Sequence, residues 1–268
     1  MSYILWCEKP ERISDMDKSD YYFRTTDFAV GYDGKSVVSD ININIKKGEI
    51  LTLVGPNGSG KTTIIKSIIR QLEPVTGVAY IDNESIFMKD KGSLAKELAV
   101  VLTDRPKTEM MTVRDVVETG RYPYTGRFGI LTSADRDIVE KAISLIGVEE
   151  IAARDFMKIS DGQRQRVMLA RAIAQEPEII ILDEPTSFLD IKHKLEFLSV
   201  LYRLSRQGNL TVVMSLHEVE LARKISDKVA CFKDGKLDRF GAPEEFMTDE
   251  YIRELFDIKI DEIIECLR

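Results

Sequence analysis

Gly55-Pro56-Asn57-Gly58-Ser59-Gly60-Lys61-Thr62-Thr63 decides the fold of this chain, because of what stands on either side of it. Before it runs the apolar stretch Ile50 to Val54, which follows a Lys46-Lys47-Gly48-Glu49 turn and reads as a buried strand. After it, Ile64, Ile65, Ile68, Ile69 and Leu72 recur at helical spacing until Pro74, so a helix begins directly behind the loop. The nine residues match the pattern G-x-x-x-x-G-K-[ST] in the strand, loop, helix setting that the pattern requires. Glycines let backbone N–H groups turn inward around phosphate oxygens, and the start of the helix adds a favourable dipole. Lys61 is expected to bridge β- and γ-phosphate oxygens and the Thr62 hydroxyl to hold Mg²⁺.

A second element of the same chemistry lies at Ile179-Ile180-Ile181-Leu182-Asp183-Glu184. An apolar run that ends in two carboxylates delivers them to the carboxyl edge of a sheet, where ligands of α/β proteins bind. Asp183 is expected to order Mg²⁺ or its waters, and Glu184 to take a proton from an attacking water.

Outward from these two segments the chain alternates. Val37 to Ile45, Leu210 to Leu216 and a hairpin turning at Asp234-Gly235 read as strands, with a helix from about Ile191 to Arg206. From about Asp104 to Glu176 strand signals vanish. Thr132 with Asp135 forms a capping pattern, Ile138, Ala142, Leu145 and Ile146 make an apolar face, and Gly147 stands where the helix would stop. The expected fold is α/β: a phosphate-loop core with a mainly parallel sheet, an N-terminal antiparallel β portion and an inserted α-helical subdomain at about 104–176. Residues 1–22 read as an appendage, 23–250 as the main domain and 251–268 as a C-terminal extension.

Composition narrows the function classes. The 268 residues are 44% hydrophobic, enough for a sizeable core, and 38 basic against 45 acidic side chains leave a net charge of -7. No basic field for nucleic acid is expected. No apolar run approaches the roughly 18 to 20 residues of a membrane-spanning helix, and Met1 to Cys7 makes a poor signal peptide. Cys7, Cys231 and Cys266 form no CxxC pair, so reduced thiols in a cytosolic chain and no structural zinc are expected.

Ile159-Ser160-Asp161-Gly162-Gln163 resembles the LSGGQ signature of the ABC transporter ATPases. Arg164 to Ala172 is similar to the helix that follows that signature, and Ser187-Phe188-Leu189-Asp190 resembles the family's D-loop. His217 matches its switch histidine, and Tyr32 is placed like the aromatic residue that stacks on adenine. The resemblance spans about residues 23 to 245 and rests on the order of the motifs. Ser160 and Gly162 also suit the cap of the next helix, and a Tyr32 that only packs on the core stays open. His193 reads as a residue on a charged helix face.

One departure is specific. The family carries a Gln in the loop entering the helical subdomain, whereas no Gln occurs between Leu72 and Gly162, and Thr103 falls at that position. Three alternatives stand: Thr103 working toward Mg²⁺ through a water, Asp104 substituting, or looser coupling. Gly120-Arg121-Tyr122-Pro123, after Met111 to Val117, resembles ATPases of iron-siderophore, haem and cobalamin importers, as does Phe188.

The resemblance implies an ATP- and Mg²⁺-dependent ATPase that works as a homodimer. Lys61, Glu184 and His217 would be catalytic, and nucleotide would lie between residues 55–63 with Tyr32 of one copy and Ser160, Gly162 and Gln163 of the other. It further implies two transmembrane permease subunits, indirectly a substrate-binding protein, and a peripheral place on the cytoplasmic face of the membrane. The alternatives are a soluble ABC-type ATPase in assembly or repair and a non-hydrolysing ATP-binding regulatory module.

Overall fold

The computed structural model describes residues 19–103, 110–126 and 128–258. In chain order the elements begin with β1 (Phe23–Tyr32), β2 (Lys35–Ile41), β3 (Asn44–Ile45), β4 (Ile50–Val54), α1 (Lys61–Ile68), β5 (Thr76–Ile81) and β6 (Glu84–Ser85). Next come α2 (Lys91–Glu97), β7 (Leu98–Val101), α3 (Val113–Glu118), α4 (Ser133–Ile146), α5 (Asp161–Ala174), β8 (Ile179–Leu182), α6 (Ile191–Gly208) and β9 (Thr211–Ser215). The last are α7 (Val219–Ile225), β10 (Lys228–Lys233), β11 (Lys236–Gly241), α8 (Pro243–Phe246) and α9 (Asp249–Leu255).

β4 and β8 are buried at every position, as expected of strands covered on both faces. They sit inside a parallel block ordered β10-β4-β9-β8-β7. Side chains alternate across this block: Ile180 and Leu182 enter one core with Val212 and Met214, while Ile179 and Ile181 enter a second with Leu51, Leu53 and Val213. The first core is closed by α3, α4, α5 and α6, and the second by Ile64, Ile65 and Ile68 of α1 and by β1 and β2. Antiparallel pairing of β1 with β2, β3 and β5 forms the N-terminal β portion, which joins the parallel block through β11 and β2.

Helices α3 to α5 lie between β7 and its parallel neighbour β8, so they are an insertion into the sheet. Thr132 and Asp135 exchange both bonds of a capping box, and Gly147 ends α4 at φ 69°. The buried face of α4 is Val139, Ala142, Ile143 and Ile146, and Leu145 is exposed. Expecting Leu145 inside placed the apolar stripe on the wrong side of Ile143, a choice the helical period alone leaves open when apolar residues are adjacent. The stretch Val37 to Ile45 divides into β2 and β3, with Asp40 at φ 58° just before the division. Helix α1 stops at Ile68, earlier than Pro74, where Arg70 takes φ 61°.

The packed structure continues beyond residues 23–250. Tyr22 is buried and donates to Glu97 Oε1 at 3.1 Å and Glu178 Oε2 at 3.3 Å, tying the chain before β1 to the parallel block. Tyr251 and Leu255 of α9 belong to the first core.

Candidate nucleotide site

Every parallel strand points its carboxyl end toward the loop at residues 55–63. Gly60 holds φ 92° before α1, and a Cβ there would come within 2.2 Å of Val38 Cγ2, so the close approach of β2 requires glycine. The same contact brings the β1–β2 hairpin beside the loop, and Tyr32 at the end of β1 is 48% exposed. The first turn of α1 necessarily leaves the N–H groups of Lys61, Thr62 and Thr63 without acceptors inside the helix.

Lys61 is buried, and its ammonium donates to Gly55 O at 2.8 Å, Pro56 O at 3.0 Å and Ser59 Oγ at 3.4 Å. Burial lowers its pKa, and the nearby Glu184 and Asp183 carboxylates oppose that shift. A buried cation held by neutral carbonyls is an attractive partner for phosphate oxygens.

Asp183 and Glu184 follow β8 at this edge. Asp183 is buried, and its Oδ1 accepts from Thr62 Oγ1 at 3.2 Å and from Ser215 Oγ at 2.9 Å. Thr62 and Asp183 offer two hard oxygen donors side by side. That set fits Mg²⁺, which keeps several waters and takes only one or two carboxylates from a protein. Among the described residues no group of three or more His, Cys, Asp or Glu could hold a metal ion.

Glu184 takes φ 47°, a left-handed conformation uncommon for a residue with a Cβ, and lines the same cavity as Asp183. Its Oε1 lies 2.7 Å from His217 Nε2, and its Oε2 accepts from Ser187 Oγ at 3.3 Å. Each oxygen keeps a lone pair, so the carboxylate remains able to accept a proton from water. The Glu184 side chain is 27% exposed, which gives that water a path.

Ser215, the last residue of β9, was absent from the sequence-derived site. Its hydroxyl donates to Asp183 and accepts from Glu184 N at 2.8 Å, setting both carboxylates from the neighbouring strand. Its one signal in the sequence is a polar residue ending a buried strand two positions before His217, and that signal gains meaning only once β9 is known to flank β8.

Thr103 lies two residues beyond the end of β7. With Thr62, Lys66, Leu102, Asp183 and Glu184 it lines a cavity of about 200 Å³, and its hydroxyl donates to Asp183 O at 3.0 Å. Asp104 lies outside the described residues. Ser160 caps α5 in a reciprocal box with Gln163, at 3.2 and 3.0 Å, so the helix-cap reading of this segment holds. Gly162 packs against Leu189 and the carbonyl of Phe188. Among the described residues no hydrogen bond joins residues 160–163 to residues 55–63: one chain brings Lys61, Thr62, Asp183, Glu184 and His217 together and leaves the signature apart. His193 pairs with Asp190 at 2.8 Å on the first turn of α6 and takes no part in the site.

The model of a family described as ABC transporter matches residues 38–187. An uncharacterised ABC transporter ATP-binding protein of Methanocaldococcus jannaschii is 46% identical over 236 residues, 88% of this chain and 81% of that protein. The iron(3+)-hydroxamate import ATP-binding protein of Bacillus subtilis is 36% identical over 234 residues, 87% of each chain. Among solved structures, a dimeric ATP-binding cassette in a post-hydrolysis state with ADP and Pi superposes with a TM-score of 0.73 at 27% identity, covering 82% of this chain and 98% of that one. With the phosphate loop, the paired acids and the signature in one fold, the chain belongs to the ABC transporter family of ATP-binding, ATP-hydrolysing proteins.

Proposed function

We propose that this chain is the ATP-hydrolysing subunit of an importer for a metal chelate, of the iron-siderophore, haem or cobalamin class. The observation that carries the hydrolytic part is the Glu184–His217 contact at 2.7 Å beside the Thr62–Asp183 pair. Lys61 and the N–H groups of residues 55–63 bind the phosphates, and Tyr32 stacks on the base. Thr62 and Asp183 would hold Mg²⁺, with Thr103 supporting Asp183 through its main chain. When bound, the ion neutralises charge on the β- and γ-phosphate oxygens. Glu184 accepts the proton of the attacking water, and His217 holds the Glu184 carboxylate in place.

Ser160, Gly162 and Gln163 complete the site of a second copy. The separation of these residues from the phosphate loop within one chain supports a head-to-tail homodimer, the dimeric form of the related cassette likewise. The import role follows the hydroxamate-import relative and the Gly120-Arg121-Tyr122-Pro123 element. Two permease subunits on the cytoplasmic face of the membrane, served by a substrate-binding protein, are the partners of this reading. No helix among the described residues is long and apolar enough to cross a membrane. The ATPase domain is residues 23–250 extended to Tyr22 and Leu255, with the helical subdomain at about 104–176.

Affinity-tagged Glu184→Gln, extracted from membranes in mild detergent with ATP, tests this. Co-purification of a polytopic permease is expected, and the permease narrows the cargo. Recovery of only a soluble dimer that binds ATP would overturn the import role in favour of a soluble assembly factor.

A further inference from the structure

The loop carrying His217 is tied to the loop carrying Glu184 at two points. One is the His217–Glu184 contact itself. The other lies one residue along on the first loop and two along on the second, where Thr186 Oγ1 donates to Glu218 Oε2 at 3.1 Å. Thr186 is buried, and Lys194 of α6 pairs with the other carboxylate oxygen of Glu218. Glu218 is the N-cap residue of α7, yet its carboxylate makes no capping bond and reaches Thr186 and Lys194 instead. Ahead of it the backbone is held by Leu216 N on Leu53 O at 3.2 Å.

We propose that Glu218 is a positioning residue for hydrolysis: by clamping Thr186 and Lys194 it fixes the loop that aims His217 at Glu184. This rests on the roles given to Glu184 and His217 above. Without the clamp, His217 is free to swing with its loop while the phosphate loop, some distance away, stays intact. An active-site group displaced by about 1 Å loses on the order of 10²-fold in rate, so the effect belongs in turnover and not in nucleotide affinity.

The test uses the full chain with Glu218→Ala, Glu218→Gln, Thr186→Val and the Ala/Val double variant, measuring steady-state kcat and KM for ATP, nucleotide affinity and the thermal midpoint. The Glu218 side chain is 31% exposed, so its truncation spares the core. Glu218→Ala is expected to lower kcat by about 10- to 100-fold with ATP affinity unchanged. Glu218→Gln, which keeps an acceptor for Lys194 and an amide for the Thr186 hydroxyl, should restore most of the rate. The double variant should be no slower than the slower single one, because both remove the same contact. Undiminished kcat in Glu218→Ala, additive losses, or a Gln variant as slow as Ala would each overturn the proposal. Should Thr186→Val fail to fold, Thr186→Ser, which keeps the hydroxyl, must retain the rate while Glu218→Ala loses it. Glu184→Gln run alongside separates the two levels: normal turnover there removes the base role itself, whereas a slow Glu184→Gln beside a fast Glu218→Ala removes only the clamp.

Discussion

Glu184 combines an uncommon backbone with a common side chain. Its φ of 47° is costly for a residue with a Cβ, by about 1 to 3 kcal/mol, and the cost is met by Ser215 on its N–H and His217 on its carboxylate. Under the proposed function, strain of this kind would aim the base at water. Replacing Glu184 by Gln keeps the shape and removes the proton acceptor, so turnover should drop by on the order of 10² to 10⁴ while ATP still binds. Steady-state phosphate release with an equilibrium binding assay checks both halves, and normal turnover would sink the assignment. Lys61→Ala acts elsewhere: it removes the cation that three loop oxygens hold in place, and isothermal titration should record a weaker affinity for ATP. An unchanged affinity would count against the phosphate-loop reading.

At the scale of elements, the Gly120-Arg121 step is a joint between three helices. A Cβ at Gly120 would lie 2.2 Å from Arg171 O, so only glycine lets the end of α3 rest on α5. Arg121, next in line, is buried and donates to Asp135 Oδ1 on α4 and to Ala174 O and Glu176 Oε2 at the end of α5, each at 2.9 Å. Removing it takes from the Asp135 carboxylate its one cationic partner and leaves the bonds from Thr132, so Arg121→Ala should cost about 1.5 to 3 kcal/mol in urea unfolding. Hydrogen bonds from Thr132, and then the Arg121 guanidinium, hold the Asp135 carboxyl down at about 2, against an ordinary 3.8. A depressed carboxyl stabilises the fold in its ionised form, so this contribution is complete above 3.8 and is lost as pH falls toward 2. The stability gap between the native chain and Asp135→Asn should narrow over that window, and a gap constant through it would argue against the assignment. The Thr132 to Asp135 capping box was legible in sequence because both partners lie within one turn. The Arg121 joint was not, since its partners come from 14 to 55 residues away and the same four letters read equally well as a helix end.

For the whole molecule, the decisive fact is that one chain keeps two groups of residues apart. Lys61, Thr62, Asp183, Glu184 and His217 gather at the carboxyl edge of the sheet, while Ser160 to Gln163 caps α5 and packs on Leu189. A ligand held between two copies stabilises the pair by mass action. Glu184→Gln should therefore sediment as a dimer with ATP and as a monomer without it; a monomer at saturating ATP would leave the signature without a role in the site.

Local order along the chain was enough to settle the strand, loop and helix around residues 50–68, the acids ending β8, the insertion between β7 and β8 and the turn at Asp234-Gly235, because each depends on neighbours a few residues apart. The resemblance alone suggested a position for Thr103. What its hydroxyl does, donating to the Asp183 carbonyl, required the parallel pairing of β7 with β8. Ser215 and Glu218 entered the site only through the adjacency of β9 to β8 and of the loops that follow them. Periodicity and spacing report contacts within one element, whereas the order of strands in a sheet is chosen by burying both faces at once, and that choice belongs to the folded chain as a whole.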